Sequence, residues 1–242
     1  VYALLTAFVM FYLTDTVGLS MGIIGTLIAL SKVFDGVTDF FFGRMIDKTH
    51  TKMGKARPWM LWPYIGCSVA LVACFAIPTS WGQTAQYAFF FIAYTLLNAV
   101  FFTANNIAYA SLTALITKNT NERVQLGSIR FIFAFGTSML IQYITIDAVN
   151  WFGGGAEGWR IVAIIYAIVG LIINTISVFS VKELPDADKK MEKERKEEHT
   201  LTFFDSFKLL PKNKYYVIIC ITYIMTQLYA SVIGMGIYYM KY

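Results

Sequence analysis

Charge is what this sequence of 242 residues has least of: Asp, Glu, Lys and Arg together make up 14% of it, beside 57% hydrophobic residues. A soluble domain carries about a quarter of charged residues, so this composition, with a mean hydropathy of +0.57, excludes an ordinary soluble fold. Cysteine is scarce too. Cys67, Cys74 and Cys220 all fall in apolar runs with no CxxC or Cys/His spacing, a pattern that argues against a disulfide framework or a metal site. The two histidines, His50 and His199, stand in charged connecting segments. A membrane-embedded enzyme would need a nucleophile–base pair or a metal cluster within its spans. Neither is visible, so no catalytic residue is assigned. The net charge of +5 raises nucleic acid as a partner. The basic residues, however, occupy short loops without interleaved aromatics, so none is expected.

What is present is long apolar runs. A spanning helix needs roughly 20 mostly apolar residues. Seven segments qualify, the first in part: 1–13, 21–44, 59–78, 86–116, 127–146, 160–181 and 215–240. The chain opens at Val1 inside an apolar stretch, with neither an initiator Met nor a basic region before it. The expectation is that the start of the first helix is missing, rather than that a signal peptide is present.

Orientation follows from the basic residues. Lys48, Lys52, Lys55 and Arg57 follow the second span, with Arg44 at its edge. Lys118 and Arg123 follow the fourth, and a dense Lys/Glu run follows the sixth. The alternate loops, 14–20 and 79–84, hold no Lys or Arg, and 147–159 is followed only by Arg160. The positive-inside rule therefore places the basic loops, the N-terminus and the central linker in the cytoplasm. Trp59, Trp62, Trp81, Trp151 and Trp159 all lie near span ends, as an interfacial belt requires.

The expected organisation is an all-α polytopic membrane protein in three parts. Residues 1–181 form a six-helix bundle, and 182–214 a solvated linker ending in an amphipathic surface helix carrying Leu201, Phe204, Phe207 and Leu210. Residues 215–242 then hold a seventh helix that opens a second half. Gly153 to Gly158 fits GxGxxG, but it follows a spanning helix rather than a strand, so it is expected to be a turn.

Ionisable groups within a span cost a few kcal/mol and mark function by default. The second span holds three, Lys32, Asp35 and Asp39. Their i, i+3, i+7 spacing puts all three on one helical face. Lys32 reads as part of a charge network. Two carboxylates one turn apart suit a small cation, which prefers oxygen ligands, or a proton, because neighbouring carboxylates raise one another's proton affinity. The plainer alternative is a charge network that packs helices. In the fourth span Asn98 and Asn105 read as helix bridges. Asn106 and Tyr109, one turn apart, could present amide and hydroxyl together to a polyhydroxylated ligand. Arg130 adds a forked donor to the set, or else anchors the end of the fifth span.

The segment Phe11-Tyr12-Leu13-Thr14-Asp15-Thr16-Val17-Gly18-Leu19-Ser20, then Asp35-x-x-x-Asp39, then Gly43-Arg44-Met45-Ile46-Asp47-Lys48 with Met53-Gly54-Lys55-Ala56-Arg57-Pro58-Trp59 form a specific series. With Asn106-Ile107-Ala108-Tyr109 and Glu122-Arg123-Val124-Gln125-Leu126, the series resembles the glycoside–pentoside–hexuronide:cation symporters of the major facilitator superfamily. It covers the chain from about residue 11 onward. The resemblance implies sugar:cation symport by alternating access in a twelve-helix fold, of which this chain would supply the first half and helix seven. In the melibiose-carrier type of the family, the positions matching Asp35, Asp39, Thr38 and Thr103 bind the coupling cation, and those matching Asn106 and Arg130 contact the sugar. The implied partners are a sugar or glycoside, the lipid bilayer and the missing second half. No cofactor is implied beyond a coupling Na+ or H+. The chain departs from the family pattern at Phe40 and Ala108, where many members carry proline, and the ion and the sugar stay open. A lipid-carrying relative and a non-transporting sensor are the alternative readings.

Overall fold

The computed structural model describes residues 2–184, 214–215, 217–226 and 228. Seven helices account for most of them: α1 (Tyr2–Thr16), α2 (Met21–Lys48), α3 (Arg57–Cys74), α4 (Gln83–Ile116), α5 (Thr120–Trp151), α6 (Gly155–Ser180) and α7 (Val217–Thr226). No strand occurs among the described residues; an isolated bridge joins Thr51 to Gly54. Two compact units divide the chain at Ala187, with α1–α6 in the first and α7 in the second. Four helices, α2, α4, α5 and α6, are long and apolar enough to cross a membrane, while α1 and α7 are shorter and α3 has 18 residues.

Several helices differ in length from the apolar runs that announced them. The stretch 147–159, expected as a loop, is helical to Trp151 and again from Gly155. Only 152–154 connect the two helices, with Gly153 and Gly154 at φ 96° and 65°, a left-handed turn that glycine adopts freely. At its other end α5 starts seven residues before the apolar run. Asn119 caps it by accepting the Asn121 N–H at 3.0 Å, and the Thr117 hydroxyl donates to the carboxylate of Glu122 in the first turn. Polar capping thus carries the helix beyond its apolar part. Conversely α3 stops at Cys74 instead of reaching Pro78, since a proline ring disfavours helix in the residue before it. The linker and surface helix expected at 182–214, and the seventh span beyond residue 228, lie outside the described residues but for 182–184 and 214.

Two apolar clusters fill the first unit. One gathers Leu4, Leu5, Tyr12, Leu71, Phe75, Phe90, Leu97 and Val162 around Trp159. Trp159 is only 2% exposed, with Phe8 and Phe75 rings both 5.7 Å from its own. It is therefore a core residue and not part of an interfacial belt. The other cluster, Ile46, Ala56, Met60, Ala108, Leu112, Leu115 and Val178, joins the ends of α2, α4 and α6 to the start of α3. Between these clusters α4 is the central helix: 44% of its most apolar stretch is buried, against 11% in α2 and in α5.

Polar fastenings tie α3, α4 and α6 together. The Met60 carbonyl, within the α3 turn that holds Pro63, accepts the side-chain amides of Asn105 of α4 at 2.8 Å and Asn174 of α6 at 2.9 Å. Glu183, just past α6, accepts three backbone N–H groups at the start of α3, from Lys55, Ala56 and Arg57, at 2.8, 3.1 and 3.0 Å. A carboxylate is favoured there by orphan donors and by the helix dipole. Arg57 returns the tie, its Nε donating to the Val178 carbonyl at 2.8 Å. Gly54 permits the approach: its φ is +110°, and a Cβ there would overlap the Glu183 carboxylate.

Candidate functional site

The polar side chains of α2 that the spacing puts on one face point away from the core. Lys32 Nζ lies 3.1 Å from Asp35 Oδ2, the pair being 45% and 24% exposed. The other oxygen of Asp35 accepts the Thr103 hydroxyl from α4 at 2.7 Å. Asp39, one turn further along α2, is exposed and makes no hydrogen bond or ion pair among the described residues. Thr38 is tied into its own helix, its hydroxyl sharing the carbonyls of Phe34 and Asp35 at 3.1 and 3.0 Å. Asp35 and Thr103 are therefore brought into contact, and Asp39 stands free one turn away. The Thr38 proton is engaged by the backbone.

Thr103 reaches Asp35 because α4 is not a regular helix. Leu96–Phe102 form a π-turn, a one-residue insertion that is frequent at functional sites. It puts the Asn98 carbonyl five residues before Thr103 within 2.9 Å of the Thr103 hydroxyl. Asn98 is 1% exposed, its amide nitrogen 3.4 Å from the Tyr94 carbonyl and its side-chain oxygen without a protein partner. Of the two amides expected to bridge helices, Asn105 does so, while Asn98 donates within its own helix.

One turn beyond Thr103, the second group assembles. Arg130 of α5 donates from Nη2 to Asn106 Oδ1 at 3.3 Å, and its guanidinium carbon lies 4.3 Å from the centre of the Tyr109 ring. Asn106, Tyr109 and Arg130 thus form one cluster between α4 and α5. Asn106 is exposed, and Tyr109 and Arg130 are half-buried. This geometry gives Arg130 two partners on the neighbouring helix α4. Successive turns of α4 carry the carboxylate-linked Thr103 and the donor-rich Asn106 and Tyr109. A shift of α4 would move both groups together.

Sequence reasoning missed two features. Glu183 stands two residues after Val181, at the edge of a Lys/Glu-rich stretch, and nothing in that position signals partners 126 to 128 residues away. The π-turn has no sequence signature, since its residues Leu96 to Phe102 continue an apolar run.

With this geometry in hand, the comparisons define the class. All of residues 1–242 match the family described as MFS/sugar transport protein. The chain belongs to that family, and its fold is the all-α, polytopic membrane fold of the major facilitators. Among individual relatives, the isoprimeverose transporter of Lactiplantibacillus pentosus is 36% identical over 187 residues, which is 75% of this chain and 38% of that protein. The inner membrane symporter YicJ of Escherichia coli is 28% identical over 182 residues, 74% of this chain and 39% of its own length. The glucuronide carrier protein homolog of Escherichia coli is 27% identical over 186 residues, 75% and 40% of the two chains. The chain thus spans less than half the length of these relatives, all of which carry transporter names.

Proposed function

We propose that this chain supplies the cation site and part of the sugar site of a sugar:cation symporter working by alternating access. The observation that carries the reading is the joining of two unlike groups by consecutive turns of α4. Asp35 and Asp39, with Thr103, offer the oxygen-rich setting that a small hard cation takes. Thr38, one turn beyond Asp35 on α2, adds a hydroxyl oxygen. Asn106, Tyr109 and Arg130 offer an amide, a hydroxyl and a forked donor suited to sugar hydroxyls. Lys32 holds Asp35 by charge, which leaves Asp39 as the carboxylate freer to accept an ion. Either Na+ or H+ fits this arrangement, and no step of covalent chemistry is involved.

In this reading the sugar is enclosed near the midplane between α1–α6 and a second half of the transporter outside this chain. The domain plan is a bundle over residues 1–181, a linker over 182–214 and helix seven from 215. The basic loops, the N-terminus and the linker face the cytoplasm. Single cysteines at Lys52 and Lys118 of the full-length protein should resist an impermeant thiol reagent in intact cells, and one at Gly154 should react; labelling at Lys52 would reverse the orientation. Uptake by the full-length protein across a sugar panel, with and without sodium and at two pH values, tests the function. Sugar uptake stimulated by neither condition would remove the symport.

A further inference from the structure

Several threonine hydroxyls in regular stretches of these helices bond back to a carbonyl three or four residues earlier. Thr26 reaches Ile23, Thr38 reaches Phe34 and Thr175 reaches Leu171. Thr103 breaks the pattern: its acceptor on its own helix is the carbonyl five residues back, that of Asn98. The π-turn causes this, because one extra residue moves that carbonyl under the Thr103 side chain. The re-aimed hydroxyl then also reaches Asp35 Oδ1 across the α2–α4 interface. A hydroxyl has one hydrogen and two lone pairs. Here it faces two acceptors, at 2.7 and 2.9 Å.

We propose that the π-turn makes Thr103 a switchable cation ligand, with the main-chain carbonyl of Asn98 as the positioning group that takes its proton when a metal ion is bound. The inference rests on the cation-site reading above. Without an ion the hydrogen goes to Asp35, because a bond to a carboxylate is charge-assisted and stronger. A cation seated against Asp35 Oδ1 would be repelled by a hydrogen pointing at the same oxygen. Rotation of the hydroxyl toward the Asn98 carbonyl removes that hydrogen and turns a lone pair to the ion. No bond between heavy atoms changes. A proton bound by Asp35 or Asp39 needs no such neutral oxygen, so the device separates metal ions from protons. In a regular α-turn the hydroxyl would lie back along its own helix, as Thr38 does.

The test uses the full-length transporter, with sodium activation of sugar binding and the pH profile of sodium-free uptake as readouts. Thr103→Val removes the hydroxyl and should raise the sodium concentration for half-activation, and Thr103→Ser, which restores a hydroxyl, should recover most of that loss. A backbone ester at the Asn98–Ala99 linkage weakens the carbonyl acceptor and should raise that concentration about fivefold, the size of one neutral hydrogen bond. Deleting Val100, which returns the turn to α periodicity, should do the same. Thr103→Val combined with the ester should be no worse than Thr103→Val alone, because the two changes remove one interaction. Sugar affinity at saturating sodium and the pH profile should not move, which a general packing defect would not spare. The proposal is overturned by an unchanged sodium constant in the ester protein, by additive losses, or by a wild type that responds to neither sodium nor lithium. If Asp39→Asn leaves coupling intact, the site reading itself has failed. If Asp39→Asn is defective and the ester is silent, only the switch has.

Discussion

The polar groups of this bundle divide into two regions that treat them in opposite ways. Between α3, α4 and α6 they are paired inward: Asn105 and Asn174 close on one carbonyl, and Glu183 takes three backbone donors. Along α2, and where α4 meets α5, they stay half-open. Asp39 is unpaired among the described residues, Lys32 is nearly half exposed, and Asn106 faces outward. A buried polar group without a partner is costly, so the first region spends its polar atoms on fastening. The second leaves them accessible, as the proposed cation and sugar sites require. Exposure and pairing, more than residue type, separate the fastening Asn105 and Asn174 from the exposed Asn106.

The difference is broken most strongly from the fastened side. Gly54→Ala puts a side chain into a positive-φ site and against the Glu183 carboxylate. It should cost about 2 kcal/mol or more, read as a lowered melting temperature of the purified full-length protein and reduced membrane expression. Stability equal to the wild type would mean that Glu183 does not hold α3 to α6. On the open side, Arg130→Lys replaces the fork with a point charge. Sugar affinity should fall about tenfold, as expected for one hydrogen bond to a charged group, with little change in melting temperature. Unchanged affinity would return Arg130 to an end anchor.

The smallest effect belongs to Asn174→Leu. Asn105 still satisfies the Met60 carbonyl, so the loss should be about 0.6 kcal/mol, the average for such bonds in membrane helices. Adding Asn105→Leu should cost more than a second equal share, because both side-chain donors to the carbonyl are then gone. Strict additivity in thermal unfolding would contradict shared fastening.

Much of this was legible beforehand. The apolar runs located α1–α6, and the i, i+3 spacing anticipated the Lys32–Asp35 pair. Asn106, Tyr109 and Arg130 were grouped from the sequence, and the structure brings the three into one cluster. Helix ends were less legible, because capping at Asn119 and the glycine turn at 153–154 extend helices into polar sequence that apolar counting discards. Pairings between distant residues were not legible from pattern at all. Glu183 meets Lys55 across 128 positions, and Thr103 meets Asp35 only because an apolar stretch hides a π-turn. Resemblance to the symporters singled out Thr103; the physical reason for its reach lies in the backbone.

The coupling role proposed for the open α2 face is tested most directly in the full-length protein carrying Asp39→Asn, by comparing sugar binding with uphill accumulation. The substitution removes the unpaired carboxylate and keeps its shape. Accumulation against a gradient, and its stimulation by sodium or by lowered pH, should disappear while sugar binding stays measurable. Accumulation with unaltered dependence on sodium and pH would make the carboxylate structural and leave the proposed symport without its mechanism.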